Sequence, residues 1–176
     1  MDELQFIRLG VDDPRDEEFD CGNNDLNEFF FEDSKGNSRE LLAVTYAWNL
    51  NGKTIAFFSV SNDAIKSQDV ENYNQFKKFL PHRKRYKTIP AVKIGRFAVH
   101  KDFRQSGYGT KILDFIKIWF VTNNKTGCRF IVVDALAEAL PFYEKNRFLF
   151  LNNDDKNKPI RIMYFDLKFV SPVNYK

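Results

Sequence analysis

Apolar and polar residues alternate along several short stretches of the chain, and this pattern predicts β-strands. Residues 4–9 alternate weakly and predict a first strand. Residues 42–50 and 53–61 are rich in β-branched and aromatic side chains and flank the dipeptide Asn51-Gly52. Asn-Gly supplies the positive φ angles that a two-residue hairpin turn requires. The two runs therefore predict the second and third strands, joined as a hairpin.

A helical spacing of apolar residues lies between the first strand and the hairpin. Residues 19–25 combine turn and N-cap chemistry, and Leu26, Phe29 and Phe30 then share one face at helical spacing. We expect this face to pack against a sheet. Residues 34–38 contain Gly, Asn and two serines, so we expect them to interrupt the helix.

Strand-like and helical patterns alternate in the second half of the chain. The predicted elements are, in order, a helix over residues 70–80, a central strand over 91–99, a helix from a turn at 104–109 to about residue 123, a buried strand over 127–135, a helix starting near Leu140, and closing strands over 148–151 and 160–169. Ile112, Ile116, Trp119 and Phe120 form an apolar stripe that we interpret as core.

Length and composition limit the class of protein. The chain has 176 residues, so we expect residues 1–176 to form a single domain. The N-terminus is acidic, and no apolar run approaches the roughly 20 residues that span a bilayer. These features predict a cytoplasmic protein without a membrane partner. Cys21 and Cys128 lack the spacing of metal ligands, so we expect reduced thiols and no metal site.

Charge is distributed unevenly along the chain. The net charge is only +3, but residues 72–101 hold nine basic residues and no acidic one, whereas the remainder is net acidic. Such asymmetry suggests an anionic partner near the basic segment. The loop at residues 81–90 fits either an RNA-contacting surface, with Tyr86 available to stack on a base, or a solvated loop tip.

The turn at residues 104–110 has the chemistry of an anion site. Gly107 and Gly109 allow close backbone approach, and the turn opens directly into a helix whose first N–H groups lack intrahelical partners. Thr110-Lys111 has the wrong order for a P-loop. The dinucleotide-binding fingerprint would need glycine where Arg104 stands.

These residues resemble the GCN5-related N-acetyltransferases (GNAT). Residues 104–109, Arg-Gln-Ser-Gly-Tyr-Gly, fit the family's phosphate-loop pattern Arg/Gln-x-x-Gly-x-Gly/Ala. Residues 132–135 look like the family's fifth strand, and residues 139–148 look like its Ala-x-x-Phe-Tyr-x-x-x-Gly-Phe helix and turn. The resemblance implies an α/β (α+β) fold: a mixed, mostly antiparallel sheet of about six to seven strands, splayed between strands 4 and 5 and flanked by helices.

The resemblance also implies acetyl-CoA as the cofactor and direct acetyl transfer to a primary amine in a ternary complex. The exposed N–H of Val99 would bind the thioester oxygen. The implied cofactor-binding residues are Phe97, Ala98, Val99, Arg104, Gln105, Ser106, Gly107, Tyr108, Gly109, Thr110, Asp134, Ala139 and Phe142.

Tyr143 occupies the family position of the general acid for the departing thiolate. An unperturbed tyrosine has a pKa of about 10 and a thiol about 8.5, so tyrosine can supply that proton. Arg96 stands where many relatives carry a Glu base, and Asp134 either acts through water or caps the next helix. Arg147 replaces the glycine of the family's Gly-Phe turn.

A looser resemblance connects the chain to acetyltransferase toxins. The pattern Phe19-x-Cys-Gly-x-x-x-Leu26-Asn27 is similar to toxins that acetylate aminoacyl-tRNA and are held inactive by small antitoxins. This resemblance implies an aminoacyl-tRNA acceptor and a small antitoxin partner. The implied RNA-binding residues are Arg83, Lys84, Arg85, Lys87 and Arg96. A polyamine or other small-molecule acetyltransferase, and a non-catalytic acyl-CoA-binding or nucleic-acid-binding module, remain alternatives. Monomer and homodimer both remain open.

Overall fold

The computed structural model describes residues 4–70 and 86–170, together with positions 74, 78, 80 and 81. The chain forms two compact units, one of residues 1–61 with 94–113 and the other of residues 62–93 with 114–176. The predicted helix over residues 70–80 falls largely outside the described residues, as do Arg83, Lys84 and Arg85. The prediction of a single domain stays a prediction.

Seven strands form a mixed sheet in the order β1-β2-β3-β4-β5-β7-β6. Their bounds are β1 Leu4–Leu9, β2 Val44–Leu50, β3 Lys53–Lys66, β4 Thr88–Val99, β5 Phe130–Leu136, β6 Leu149–Phe150 and β7 Ile160–Asp166. Strands β4 and β5 form a parallel pair with a splay. The predicted α+β class, with a mixed and mostly antiparallel sheet splayed between strands 4 and 5, is confirmed.

The first unit contains the predicted hairpin. Strand β2 pairs antiparallel with β1 on one side and with β3 on the other. Asn51 and Gly52 join β2 to β3 with φ angles of 51° and 84°, as a tight hairpin turn requires. One buried cluster of this unit contains Leu9, Phe19, Cys21, Phe29, Phe30, Ala47, Phe57 and Ala98.

The second unit contains the closing strands. Strand β7 pairs antiparallel with both β5 and β6, as predicted. Arg129 and Asp166 lie at one end of the β5–β7 ladder and form a two-pronged ion pair, with Nε–Oδ1 and Nη2–Oδ2 distances of 2.6 and 2.8 Å. One buried cluster of this unit contains Ile65, Val70, Ile89, Ala91, Phe130, Val132 and Leu151.

In the part of the chain that the structure describes, the helical segments are short except for one. Their bounds are α1 Asn24–Glu28, a π-helical turn Phe29–Asp33, α2 Ser34–Arg39, α3 Tyr108–Val121 and α4 Leu140–Lys145. Single 3₁₀ turns cover Ser67–Asp69, Lys101–Phe103, Thr122–Asn124, Ala137–Ala139 and Leu167–Phe169. Within the described part of the chain, no helix is long and apolar enough to cross a membrane.

The helix predicted to break at residues 34–38 does not break. Helix α1 continues through the π turn into α2, so that prediction was wrong. Ser34 is buried, and its Oγ donates to the Phe30 carbonyl at 2.9 Å. The buried Arg15 side chain donates to both Phe30 O and Ser34 Oγ. Because a partner distant in sequence satisfies these groups, a stretch with weak intrinsic helix propensity stays helical.

Candidate functional site

The turn predicted as an anion site lies between β4 and α3. After β4 ends at Val99 and a 3₁₀ turn ends at Phe103, the chain passes through residues 104–107 and enters α3 at Tyr108. The first hydrogen bond of that helix joins Lys111 N to Gly107 O at 3.1 Å. The N–H groups of the three residues before Lys111 therefore have no partner within the helix, at its positive end.

The backbone of this loop adopts the conformation expected of a phosphate-binding concavity. Gln105 and Gly107 have φ angles of 60° and 80°, in the left-handed region. A Cβ added at Gly107 would meet nothing within 4 Å, so the space in front of this backbone is open. Left-handed residues next to a helix N-terminus direct successive N–H groups toward one point. Gln105, Ser106 and Gly107 are exposed, whereas Tyr108, Gly109 and Thr110 are half-buried.

The other cofactor-binding residues predicted in the first unit lie at the end of β4. Ala98 is buried, and Phe97 and Val99 are half-buried. Arg96 is exposed, and its guanidinium lies 5.2 Å from the centre of the Phe29 ring. The Arg96 Nη1 donates to the Gly95 carbonyl at 2.8 Å. This cation is therefore held in a defined orientation at the protein surface.

Arg104, the first residue of the loop pattern, points its side chain toward the N-terminal part of the chain. Its Nη2 donates to the carbonyl of Cys21. Its guanidinium also lies 3.7 to 3.9 Å from the position that a Cβ of Gly22 would occupy. The predicted cofactor-binding residue Arg104 therefore contacts a turn of the protein itself.

The second unit holds Tyr143 on α4. Pro141 stands in the first turn of this helix, which starts at Leu140 as predicted. The Tyr143 ring packs edge-on against Phe142 and Phe148, each at 5.3 Å between ring centres. Burial raises the pKa of the Tyr143 phenol to about 12. The phenol is therefore protonated at neutral pH, as a proton donor must be.

The turn after α4 keeps a left-handed residue although the sequence lacks the expected glycine. Arg147 has a φ angle of 66°. Its N–H donates to Glu144 O at 2.9 Å, and the Phe148 N–H donates to Tyr143 O at 3.0 Å. These hydrogen bonds satisfy carbonyls at the C-terminal end of α4. The helix therefore ends in a hydrogen-bonded left-handed turn although Arg147 replaces glycine.

Asp134 does not cap a helix. Its carboxylate pairs with the Lys93 ammonium at 2.5 Å. The following 3₁₀ turn and α4 begin at Ala137 and Leu140, and their N-cap residues, Leu136 and Ala139, make no side-chain cap hydrogen bond. The capping interpretation was therefore wrong, because the oppositely charged Lys93 takes the carboxylate instead. Ala139 and Phe142 are both half-buried.

A family model decides what this arrangement belongs to. The model described as an acetyltransferase (GNAT) domain matches residues 45–148, more than half of the chain. The chain belongs to the GNAT acetyltransferase family. Membership confirms the predicted fold and the acyltransferase class, with acetyl-CoA as the acetyl donor.

Solved structures of toxins share the fold of this GNAT domain. AtaT complexed with acetyl-methionyl-tRNAfMet matches with a TM-score of 0.78 and 22% identity, over 94% of this chain and 96% of that one. A Tyr-to-Phe mutant of KacT matches with a TM-score of 0.77 and 20% identity, over 94% and 95%. A Tyr-to-Phe mutant of the AtaT toxin, bound to the C-terminus of the antitoxin AtaR and acetyl-CoA, matches with 0.71 and 19%, over 94% of both chains. No curated protein has a significant match to the sequence.

One buried cation of this GNAT domain was missed by sequence analysis. Lys117 is buried on α3, and its Nζ donates to Asn146 O at 3.0 Å and to Asp114 Oδ1 at 3.2 Å. The ammonium lies 4.5 Å from the centre of the Phe165 ring. Burial lowers the pKa of Lys117, and Asp114 partly opposes that shift. Because Lys117 donates to the Asn146 carbonyl directly after α4, it braces the helix that carries Tyr143.

Within residues 4–70 and 86–170, no group of three His, Cys, Asp or Glu side chains could hold a metal ion. Cys21 is buried and Cys128 is half-buried, and neither forms a disulfide. Lys87 and Arg96, the described members of the predicted RNA-binding set, are both exposed.

The raised pKa of Tyr143 predicts a pH dependence of stability in this GNAT domain. The unfolded chain ionises this phenol near pH 10, whereas the folded chain keeps it neutral until about pH 12. Stability from this group is thus complete below pH 10 and is lost as the pH rises toward 12. Between pH 9 and 11 we expect wild type to lose about 1 kcal/mol more unfolding free energy than Tyr143→Phe, measured by urea titration. Parallel curves for the two proteins would show that the phenol is not shielded from water.

Proposed function

We propose that this protein transfers the acetyl group of acetyl-CoA to the α-amino group of an aminoacyl-tRNA, directly and in a ternary complex. The observation that supports acetyl-CoA binding is the backbone conformation at residues 105–110. Its N–H groups without helical partners lie beside Gly107, where the space in front of the backbone is open. The acceptor half is supported by the fold shared with AtaT and by the basic segment at residues 72–101.

The donor residues would act mainly through their backbone. Acetyl-CoA supplies the acetyl group as a thioester. The N–H groups at the start of α3 bind the pyrophosphate, because they are unpaired and lie at the positive end of the helix dipole. At the end of β4, the N–H of Val99 would donate to the thioester oxygen, and Phe97 and Ala98 would contribute to binding the rest of the donor. Asp134, Ala139 and Phe142 complete the proposed donor site.

Tyr143 would protonate the thiolate that departs as the C–N bond forms and the C–S bond breaks, and the proton that the amine loses would return to the phenol through water. A thiol with a pKa near 8.5 leaves as an anion that must gain a proton, and the Tyr143 phenol is neutral at physiological pH. The phenol makes no hydrogen bond to any described residue, so its proton is not committed to the fold. Structures of Tyr-to-Phe mutants of both AtaT and KacT support this assignment.

The acceptor amine would need little help from a base. Asp134 is ion-paired with Lys93, and the strand position where many relatives carry Glu holds Arg96. The amine of an aminoacyl ester is largely neutral because the ester withdraws electron density. An acceptor of this class therefore suits a site without a strong base.

The basic residues would bind the phosphates of the tRNA. Exposed Lys87 and Arg96 belong to this proposed surface, together with Arg83, Lys84 and Arg85. Neutralised phosphates release counterions, so binding through them should weaken steeply with salt. The likeness to AtaT bound to AtaR also supports the proposal of a small antitoxin partner.

The deciding experiment follows label from acetyl-CoA to two sets of acceptors. One set is a total charged-tRNA pool, and the other contains polyamines, free amino acids and peptides. We expect label on charged tRNA and none on uncharged tRNA. Label only on small amines would overturn the aminoacyl-tRNA proposal, and no transfer to either set would favour a non-catalytic module.

A charge-reversal pair tests the RNA surface. Replacing Arg83, Lys84 and Arg85 with Glu should weaken tRNA binding by at least tenfold and flatten its salt dependence. The control reverses the exposed Lys156, Lys158 and Lys168, which changes the net charge equally. Equal weakening by both triple variants would show a non-specific charge effect and no RNA surface at residues 83–85.

A further inference from the structure

The segment of residues 19–27, here called the clamp, lies against the phosphate loop within the first unit. Phe19 and Cys21 are buried in the core of this unit. Cys21 N donates to Asn27 Oδ1 at 3.0 Å, and Asn27 Nδ2 donates to Asp20 Oδ1 at 2.9 Å. The Asn27 side chain thus links the two ends of the clamp, because it bonds both the Cys21 backbone and the Asp20 carboxylate.

Two ties join the clamp to the two ends of the 3₁₀ turn that precedes the loop. At the first residue of that turn, Lys101 N donates to Asp20 O and Lys101 Nζ donates to Asp20 Oδ2, both at 2.8 Å. After it, Arg104 Nη2 donates to Cys21 O. The bonds from Lys101 and then Asn27 hold the pKa of Asp20 well below its usual range. The carboxylate therefore stays ionised throughout the physiological range.

The Arg104 tie needs a particular residue beneath it. Gly22 has a φ angle of 69°. The atoms of the Arg104 guanidinium lie 3.7 to 3.9 Å from the position that a Cβ atom would occupy on Gly22. Glycine adopts this left-handed conformation without the strain that other residues incur. The turn can therefore direct the Cys21 carbonyl at Arg104.

We propose that Arg104 acts as a positioning residue: it ties the phosphate loop to the clamp, and this tie sets the conformation in which the loop binds the pyrophosphate of acetyl-CoA. The inference rests on the proposed function of residues 104–110. It assigns a role to the Phe-x-Cys-Gly-x-x-x-Leu-Asn pattern, whose Asn27 closes the clamp and whose Gly22 supports Arg104.

A double-mutant cycle of Arg104 and Asn27 tests whether the tie between Arg104 and the clamp affects CoA binding. Asn27 suits this test because it is uncharged and its side chain bonds residues of the clamp. Arg104→Ala and Asn27→Ala should each lower CoA affinity by about tenfold, and the double variant should lose little more than either one, because coupled residues are not additive. Calorimetric titration with CoA gives the affinities. Pantetheine, which lacks the pyrophosphate, should bind all variants equally.

Kinetics separate positioning from general damage. We expect Asn27→Ala to raise the KM for acetyl-CoA with kcat at saturation nearly unchanged, and with a Tm close to that of Asn37→Ala. Asn37 is the matched control, because its amide bonds only the Asp33 carbonyl. If Asn27→Ala does not fold, Gly22→Ala replaces it, with Gly127→Ala as control for strain at a similar φ of 66°.

The outcomes are distinguishable. Unchanged CoA affinity in Asn27→Ala, with a loss in Arg104→Ala, would overturn the proposal and make Arg104 a direct phosphate ligand. Additive losses would do the same. Gly107→Val tests the loop itself, since a β-branched residue is strained at its φ of 80°. Unchanged CoA affinity in Gly107→Val would contradict the proposed donor site rather than the clamp.

Discussion

Replacing Tyr143 with Phe is expected to lower kcat for acetyl transfer by roughly 10²–10⁴-fold, the usual contribution of a positioned proton donor. The phenol carries the proton for the thiolate, and phenylalanine fills the same space without it. The KM for acetyl-CoA should change little, because most of the proposed binding residues lie at β4 and α3 and because phenylalanine keeps the ring contact with Phe142. Steady-state kinetics with a saturating acceptor give both constants.

The fold should survive this change. Because the hydroxyl has no hydrogen-bond partner among the described residues, only the ring contacts with Phe142 and Phe148 matter for packing, and Phe keeps them. Tyr164→Phe is a matched control, since Tyr164 is half-buried on β7 of the same unit. A kcat for Tyr143→Phe within about twofold of wild type would remove Tyr143 from the mechanism.

The second large effect concerns stability. Replacing Arg15 with Met should lower the free energy of unfolding by about 1 to 3 kcal/mol, because buried neutral acceptors lose their charged hydrogen-bond donor. Arg15 is buried, and its guanidinium donates to acceptors on two separate parts of the first unit, the segment after β1 and the helix that continues into α2. These acceptors are Gly10 O, Asp13 O, Phe30 O and Ser34 Oγ. Methionine fills part of the volume but donates nothing.

Urea unfolding measures the loss, with two comparison variants. Arg15→Lys keeps the charge but has one short donor group, so it should recover only part of the stability. Arg8→Met removes an exposed arginine from β1 and should stay within about 0.5 kcal/mol of wild type. A small effect of Arg15→Met would mean that water replaces the guanidinium and that the helix is not held by it.

Local patterns predicted most of the fold. The Asn51-Gly52 hairpin, the stripe on α3 and the helix start at Pro141 follow from residues that are neighbours in sequence, and all three match the structure. The loop at 104–110 was predicted for the same reason, because its chemistry is contained in seven consecutive residues.

Long-range pairs were not predictable in the same way. Arg104 and Cys21 are separated by 83 residues, and Lys101 and Asp20 by 81. Neither separation leaves a periodic signal in the sequence. The continuous helix through Ser34 was missed for this reason, since its support comes from Arg15. Lys117 was missed because a lysine within a helix is expected at the surface.

Arg147, which follows α4, affects how well a sequence motif can detect domains of this family. Position 147 keeps the left-handed turn through backbone hydrogen bonds, although the motif that describes this turn demands glycine. A search that treats glycine as obligatory would discard this chain while its geometry still qualifies. In this chain the turn keeps its left-handed backbone although the residue that usually marks it is replaced, so a criterion based on the dihedral angle would identify a domain that a criterion based on glycine would omit.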